Sequence, residues 1–176
     1  MVFLPVILST STPYRFSKKK MTIRDILRAV NSAILDSGIA RGMTVSVAVN
    51  SALPFLRAPR GNGSGDIVLA YDGTEALGQT PHGKVPVRSN FSAVVAARVP
   101  MTLDAPGDLL GDTILETVES LEALLCNLRL TDDGATETHP RYDGTDTAEV
   151  AGGPGVSYST FRIRFSVARA IIEDKG

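Results

Sequence analysis

The chain has no tryptophan, one cysteine and two histidines, and only 6% of its 176 residues are aromatic. With so few rings, the core has to be built mainly from Val, Ile, Leu and Ala. A single thiol, Cys126, can close no intrachain disulfide and leaves no ligand set for a cysteine-based zinc site. Its neighbours Leu124, Leu125 and Leu128 predict a buried, inert thiol, in keeping with a reducing compartment. No apolar run approaches the roughly 18 residues that a spanning helix needs, so no membrane partner is expected. The apolar stretch at 2–8 contains Pro5, and its basic residues follow rather than precede it, which does not match a secretory leader. Residues 1–20 read as an N-terminal arm, disordered or clasping, and Met21 is an alternative start directly ahead of a helix.

A dense basic stripe is also missing, and with it the mark of a bulk nucleic-acid binder. The formal net charge is −1, but it is unevenly spread. Residues 1–20 carry Arg15, Lys18, Lys19 and Lys20 and no acid, whereas residues 104–149 carry twelve acids against Arg129 and Arg141, a net of −10. An acidic surface of that kind repels DNA and suits a passage that DNA must traverse without sticking.

What is present is pattern. Thr22 and Asp25 have the spacing of a capping box. Ile23, Ile26, Leu27, Val30, Ile34 and Leu35 recur at helical period, and Gly38 supplies a C-terminal stop, so a helix is expected over 22–37. Met43, Val45, Val47 and Val49 alternate as a half-buried strand. Pro54, Pro59 and Gly61–Gly65 predict a flexible loop carrying Arg57 and Arg60. A strand is expected at 67–71, then a loop from Asp72-Gly73 through Gly78, Pro81, Gly83 and Pro86. Residues 91–99 alternate most clearly and, with Val94 and Ala96, are apolar on both sides, which suggests a central strand covered by helices. Leu110, Ile114, Val118, Leu121, Leu125 and Leu128 form a second helical stripe over 108–129. Residues 131–155 read as a loose excursion with a short strand at 141–150. A last strand, 156–171, sets Phe161, Ile163, Phe165 and Val167 against Arg162, Arg164 and Ser166. The pattern is that of a single α+β domain over 21–176, with a mixed or antiparallel sheet, two amphipathic helices packed on it, and long surface loops.

One echo stands out: Tyr71-Asp72-Gly73-Thr74 and Tyr142-Asp143-Gly144-Thr145. Asp-Gly is a strong turn signal, and the flanking sequences do not match, so the echo reads as duplicated turn chemistry rather than a structural repeat.

Reactive constellations do not assemble. The Asp72-Gly73-Thr74 triplet resembles the phosphatase motif of haloacid dehalogenases, but that motif's nucleophilic aspartate falls on Ala70. Asp36-Ser37-Gly38 resembles an aspartic-protease loop but ends a helix. The glycine-rich run at 61–65 leads into a strand, with no Lys-Ser/Thr and no helix after it. His82 and His139 lie in loops without a second ligand at metal spacing. No catalytic, cofactor or metal site is expected, and the chain is not expected to be an enzyme. Two charged groups remain. Arg162, Arg164 and Arg169 form either a solvated sheet face paired with the acid-rich segment or, with Arg57 and Arg60, a docking face for a partner or ring neighbour. Glu116, Glu119 and Glu122 form either a solvated helix face or an acidic surface facing passing DNA.

The order of these elements resembles the tail terminator, or tail completion, family of long-tailed bacteriophages. The early helix at 22–37, the central strand at 91–99, the later helix at 108–129, the turn-rich excursion at 142–155 and the closing strand at 161–167 carry the resemblance, which spans about residues 21–172. The arm 1–20 and the long loops at 50–66 and 72–90 depart from the family pattern. The resemblance implies a structural virion protein of the tail-neck region, assembled in the host cytoplasm. It also implies a hexameric ring of identical copies that caps the tail-tube protein and joins it to the head-tail connector, with DNA crossing the lumen. Family members have no catalytic residue and no cofactor. Two alternatives compete. One is another connector, neck or tail-tube subunit. The other is an enzyme or small-ligand-binding domain, which would need a concave pocket of convergent polar groups.

Overall fold

The computed structural model describes residues 21–40, 42–48, 65–78, 84–100, 109–132, 136–150 and 156–172. The expected N-terminal arm, the loop with Arg57 and Arg60, and His82 lie outside the described residues.

The first helix, α1 (Ile23–Ser37), starts as its sequence dictates. Thr22 is extended, its hydroxyl accepts from the Asp25 backbone N–H, and the Asp25 carboxylate accepts in return from the Thr22 N–H at 3.0 Å. Two helix-end donors are thereby satisfied reciprocally. Gly38 closes the helix in the left-handed region, with φ 70°, a conformation that costs glycine little. Ile26, Leu27, Val30 and Ile34 are buried, but Leu35, expected in the same stripe, is 55% exposed because it lies about 100° past Ile34 around the helix.

The strands are β1 (Thr44–Ala48), β2 (Gly65–Ala76), β3 (Lys84–Pro100), β4 (Leu130–Asp132), β5 (Thr136–Thr138), β6 (Arg141–Val150) and β7 (Val156–Ile172). The second helix, α2 (Leu109–Asn127), sits between β3 and β4. Five strands form one sheet in the order β1-β2-β3-β7-β6, and β4 and β5 form a separate small hairpin. Only β1 runs parallel to its neighbour; the other pairings are antiparallel. This is the α+β architecture with a mixed sheet and two helices that the patterning implies.

Residues 91–99 belong to the central strand, but the helices cover only one of its faces. Phe91, Ala93 and Val95 of β3, Ile67 and Leu69 of β2 and Ile163, Phe165 and Val167 of β7 share one core with the buried residues of both helices. Those of α2 include Ile114, Val118, Leu121 and Leu125. The opposite face at the centre of the sheet is small and nearly neutral. It holds Ala70, Ser92, Val94, Ala96, Thr160 and Ser166, all buried. Among the described residues, the apolar two-sided run in β3 thus marks a central strand with helices on one side.

Both ends of the loop expected from Asp72 through Pro86 are strand. The segment from Asp72 to Ala76 continues β2, and β3 begins at Lys84 rather than near 91. Pro86 is tolerated inside β3 because its carbonyl accepts from Leu77 N–H at 2.8 Å. Its missing N–H therefore faces the side where β2 is ending, and no bond to β7 is lost.

The Tyr-Asp-Gly-Thr echo is a pair of β-bulges, not a pair of turns. The β2–β3 register shifts between Tyr71 and Gly73, and the β6–β7 register shifts between Tyr142 and Gly144. In each case the aspartate is the extra residue, and the following glycine has a positive φ, 123° at Gly73 and 116° at Gly144. The two bulges are equivalent in place. Tyr71 pairs with Phe91, Phe91 with Phe165, and Phe165 with Tyr142, so four aromatic residues line one row across four strands. Moving outward along both ladders, Gly73 faces Asn90, Thr74 faces Ser89 and Glu75 faces Arg88, while Gly144 faces Arg164, Thr145 faces Ile163 and Asp146 faces Arg162. A two-fold axis perpendicular to the sheet, between Phe91 and Phe165, relates the β2–β3 hairpin to the β6–β7 hairpin. Each hairpin is preceded by a helix on the same sheet face. The fold therefore has an internal repeat that the unmatched flanking sequences concealed.

A side chain at either bulge glycine would have to adopt a backbone conformation costing about 1–3 kcal/mol. Gly73→Ala and Gly144→Ala should each lower the unfolding free energy read from a urea titration by that amount, at unchanged slope.

Candidate functional site

The bulges set the polar chemistry of the molecule. In an unbroken strand, residues three apart point to opposite faces. The extra aspartate reverses that parity, so Tyr71 and Thr74 share the helix-covered face, as do Tyr142 and Thr145. In each repeat the phenol then reaches its own threonine, at 2.7 Å between Tyr71 Oη and Thr74 Oγ1 and 3.1 Å between Tyr142 Oη and Thr145 Oγ1.

Beyond that shared pair the two repeats differ. In the second, α2 lowers Glu122 onto the motif. The Tyr142 phenol donates to Glu122 Oε1 at 3.0 Å, and the Thr145 hydroxyl donates to the same oxygen. In the first, Thr74 Oγ1 lies 2.9 Å from Ser89 Oγ, which accepts from the Arg169 Nε–H at 2.7 Å. Ser89 is fully buried, and Tyr71 and Arg169 are half-buried.

These contacts separate the residues singled out by sequence. Glu116 and Glu119 are exposed, but Glu122 is half-buried against β6. It ties α2 to the sheet, so the three glutamates do not form one free acidic face. Likewise the three arginines of β7 do not form one cationic face. Arg162 and Arg164 lie on the face away from the helices, while Arg169, an odd number of residues further along, lies on the helix-covered face beside Val87 and Ser89. Arg164 crosses Gly144 to reach Asp146 on β6, with Nε 3.2 Å from Oδ2. In the first repeat Glu75, the counterpart of Asp146, pairs with Arg88 directly opposite it at 3.2 Å, whereas Asp146 passes over its own opposite residue, Arg162, to reach Arg164. Both are exposed cross-strand pairs of the kind that pins register more than it stabilises. Arg162 Nε is buried without a hydrogen-bond partner, as are Ser92 Oγ, Thr160 Oγ1 and Ser166 Oγ, and all four lie on that same face. Arg57 and Arg60 lie outside the described residues.

Cys126 is exposed, contrary to expectation. Leu125 is buried and Leu124 and Leu128 are partly buried, but position 126 is one residue past the α2 stripe and rotates about 100° out of it. His139 is exposed, with its Nδ1 3.2 Å from the Leu128 carbonyl. Asp36 is exposed at the end of α1, and Ser37 donates back to the Ile34 carbonyl at 2.9 Å. Among the described residues no three His, Cys, Asp or Glu side chains cluster as a metal would require, and no helix is long and apolar enough to cross a membrane.

Sequence reasoning passed over Tyr71, Thr74, Ser89, Tyr142 and Thr145. The signal was present in the repeated Tyr-Asp-Gly-Thr. What it lacked was the partner strand, which turns an apparent turn into a bulge. Compared with models of known protein families and with curated proteins, the chain matches none.

Glu122→Ala should cost about 1–2 kcal/mol, because it removes a charged acceptor from two hydroxyls. Glu119→Ala should stay within about 0.5 kcal/mol, as an exposed change does. Thermal unfolding of the two variants side by side checks this. Arg164→Glu sets a carboxylate against Asp146 and should lower stability by about 1 kcal/mol, with Asp146→Lys added to it restoring most of the loss.

Proposed function

We propose that this chain is a structural virion protein that works as a tail terminator. On this reading it forms a hexameric ring that caps the tail tube, meets the head-tail connector and lets DNA pass through its lumen. The observation that carries the reading is the open sheet. Among the described residues no strand pairs with the outer edge of β1 or with the outer edge of β6. An unpaired edge offers a row of N–H and C=O groups to another chain. The two edges differ in length and charge. β1 is a five-residue strand without a charged residue, and β6 is a ten-residue strand bearing Arg141, Asp143, Asp146 and Glu149. Joining unlike edges is a heterologous contact, which yields a ring when the rotation closes. The order of elements, with two helices on one sheet face, supports the same assignment through its likeness to that family.

In this role shape does the work. The helix-covered face is a rigid layer, the sheet edges make the neighbour contacts, and the acid-rich segment 104–149 discourages DNA from binding where it passes. No bond-making step enters.

The same open edges also favour a second reading, a tube or neck subunit that stacks. Particle mass in solution, followed by negative-stain imaging, separates the two. A terminator gives a single closed ring of defined mass that does not lengthen with concentration. Open-ended stacks would assign the chain to the tube instead, and a monomer at all concentrations would remove both.

A further inference from the structure

We propose that Tyr71 and Arg169, joined through Thr74 and Ser89, form a socket for a carboxylate, and that a second copy of this chain presents it. The source of the carboxylate rests on the ring reading above; the socket itself does not.

The internal repeat supplies the comparison. In the second half of the molecule the Tyr-x-x-Thr pair of the bulge is a carboxylate seat, since Tyr142 and Thr145 both donate to Glu122 Oε1. Tyr71 and Thr74 have the same register, the same sheet face and the same contact between hydroxyls. Yet among the described residues no carboxylate of this chain sits on them.

The floor beneath the two pairs differs in the direction that an external anion requires. The two-fold axis maps Ser89 onto Ile163 and Arg169 onto Val95. Where α2 closes the seat with its own glutamate, the floor is apolar and fully buried. Where no carboxylate of the described residues sits on the pair, the floor carries a serine and a guanidinium. Four other arginines, Arg88, Arg129, Arg141 and Arg164, stand within 3.7 Å of a carboxylate. Arg169 is half-buried, and among the described residues its hydrogen bond is to Ser89 alone. A partly desolvated guanidinium gains most from an anion.

The protons agree with this. Arg169 Nε–H must donate to Ser89 Oγ, because arginine has no acceptor. Ser89 is fully buried, so its own O–H has to find an acceptor, and the acceptor in reach is Thr74 Oγ1. Thr74 in turn donates to Tyr71 Oη, which leaves the Tyr71 O–H to donate outward. Each link polarises the next, so the relay presents a strengthened phenol donor at one end and the remaining guanidinium N–H groups at the other. One cation with one outward hydroxyl matches a monoanion with two oxygens. A neighbouring copy carries such groups in abundance, with a net of −10 over residues 104–149, and an acid on one surface meeting a socket on another is the unlike contact that a ring needs.

The test uses the full chain in two arms. In the first, acetate is titrated at constant ionic strength and followed by the NMR signals of the Arg169 Nε–H and the surrounding amides, with inorganic phosphate as the competing probe. Saturable shifts with acetate, lost in Arg169→Gln, weakened in Tyr71→Phe and absent around Tyr142 and Thr145, support the socket. No saturable shift, shifts that survive Arg169→Gln, or tighter binding of phosphate overturn it. In the second arm, particle mass is compared for the natural chain and Arg169→Gln, with circular dichroism confirming that the variant is folded. At least a tenfold rise in the concentration needed for assembly supports a second copy as the source. An unchanged assembly curve overturns that source, and a natural chain that stays monomeric overturns both the source and the ring reading, while acetate binding in the first arm still decides the socket.

Discussion

The pairing of β3 with β7 at Phe91 and Phe165 is the constraint from which the rest of the structure follows. Their rings stack, with centroids 5.4 Å apart and planes inclined by 15°, and Tyr71 extends the row with a tilted contact at 5.7 Å to Phe91. In a chain so poor in aromatics, placing Tyr71, Phe91, Phe165 and Tyr142 in one row across four strands concentrates the largest side chains where both helices press on the sheet. Such ring pairs contribute about 0.5–1.5 kcal/mol beyond their burial. More important, they lock a long antiparallel pair in which a slip of one residue would turn every core side chain to the wrong face. Both hairpins hang from this pair, one on each side, so its register decides where both bulges fall.

The bulges convert that framework into chemistry. Each inserts an aspartate, lets a glycine take a positive φ, and brings a tyrosine and a threonine three residues apart onto one face. One copy is closed by Glu122 from α2, which makes it a clasp between helix and sheet. The other copy rests on Ser89 and Arg169 and remains turned to whatever lies outside. An internal repeat that has been put to two uses explains why the same four-residue motif holds the molecule together at one end and offers a donor set at the other. The ion pairs on the far face follow that symmetry only in their acids: Glu75 pairs with Arg88 directly opposite, and its counterpart Asp146 pairs with Arg164 diagonally across Gly144.

Local signals in the sequence were dependable where a short segment settles its own conformation. Thr22, Asp25 and Gly38 mark both ends of α1 through contacts within three residues, and Ile26, Val30 and Ile34 of α1 and Ile114, Val118, Leu121 and Leu125 of α2 face the core as their period requires. The Arg162, Arg164 and Arg169 group and Cys126 show the limit of reading neighbours instead of period. Arg169 is an odd step from Arg162, so alternation alone sends it to the other face, and Cys126 is off the stripe although it adjoins leucines. Asp72-Gly73 and Asp143-Gly144 failed for a different reason. An Asp-Gly pair suits a turn and a bulge equally well, and the choice belongs to the strand opposite.

By itself the sequence determined the two helices, the alternating strands, the α+β class and the absence of an intrachain disulfide, because each depends on periodicity, capping or residue count. Only the tertiary structure decided the strand order, the confinement of both helices to one face, the two-fold relation of the hairpins and the gathering of Tyr71, Thr74, Ser89 and Arg169. Those features join residues as far as 98 positions apart, from Tyr71 to Arg169. Contacts at that separation are set by how whole strands pack and pair, and no local pattern encodes them.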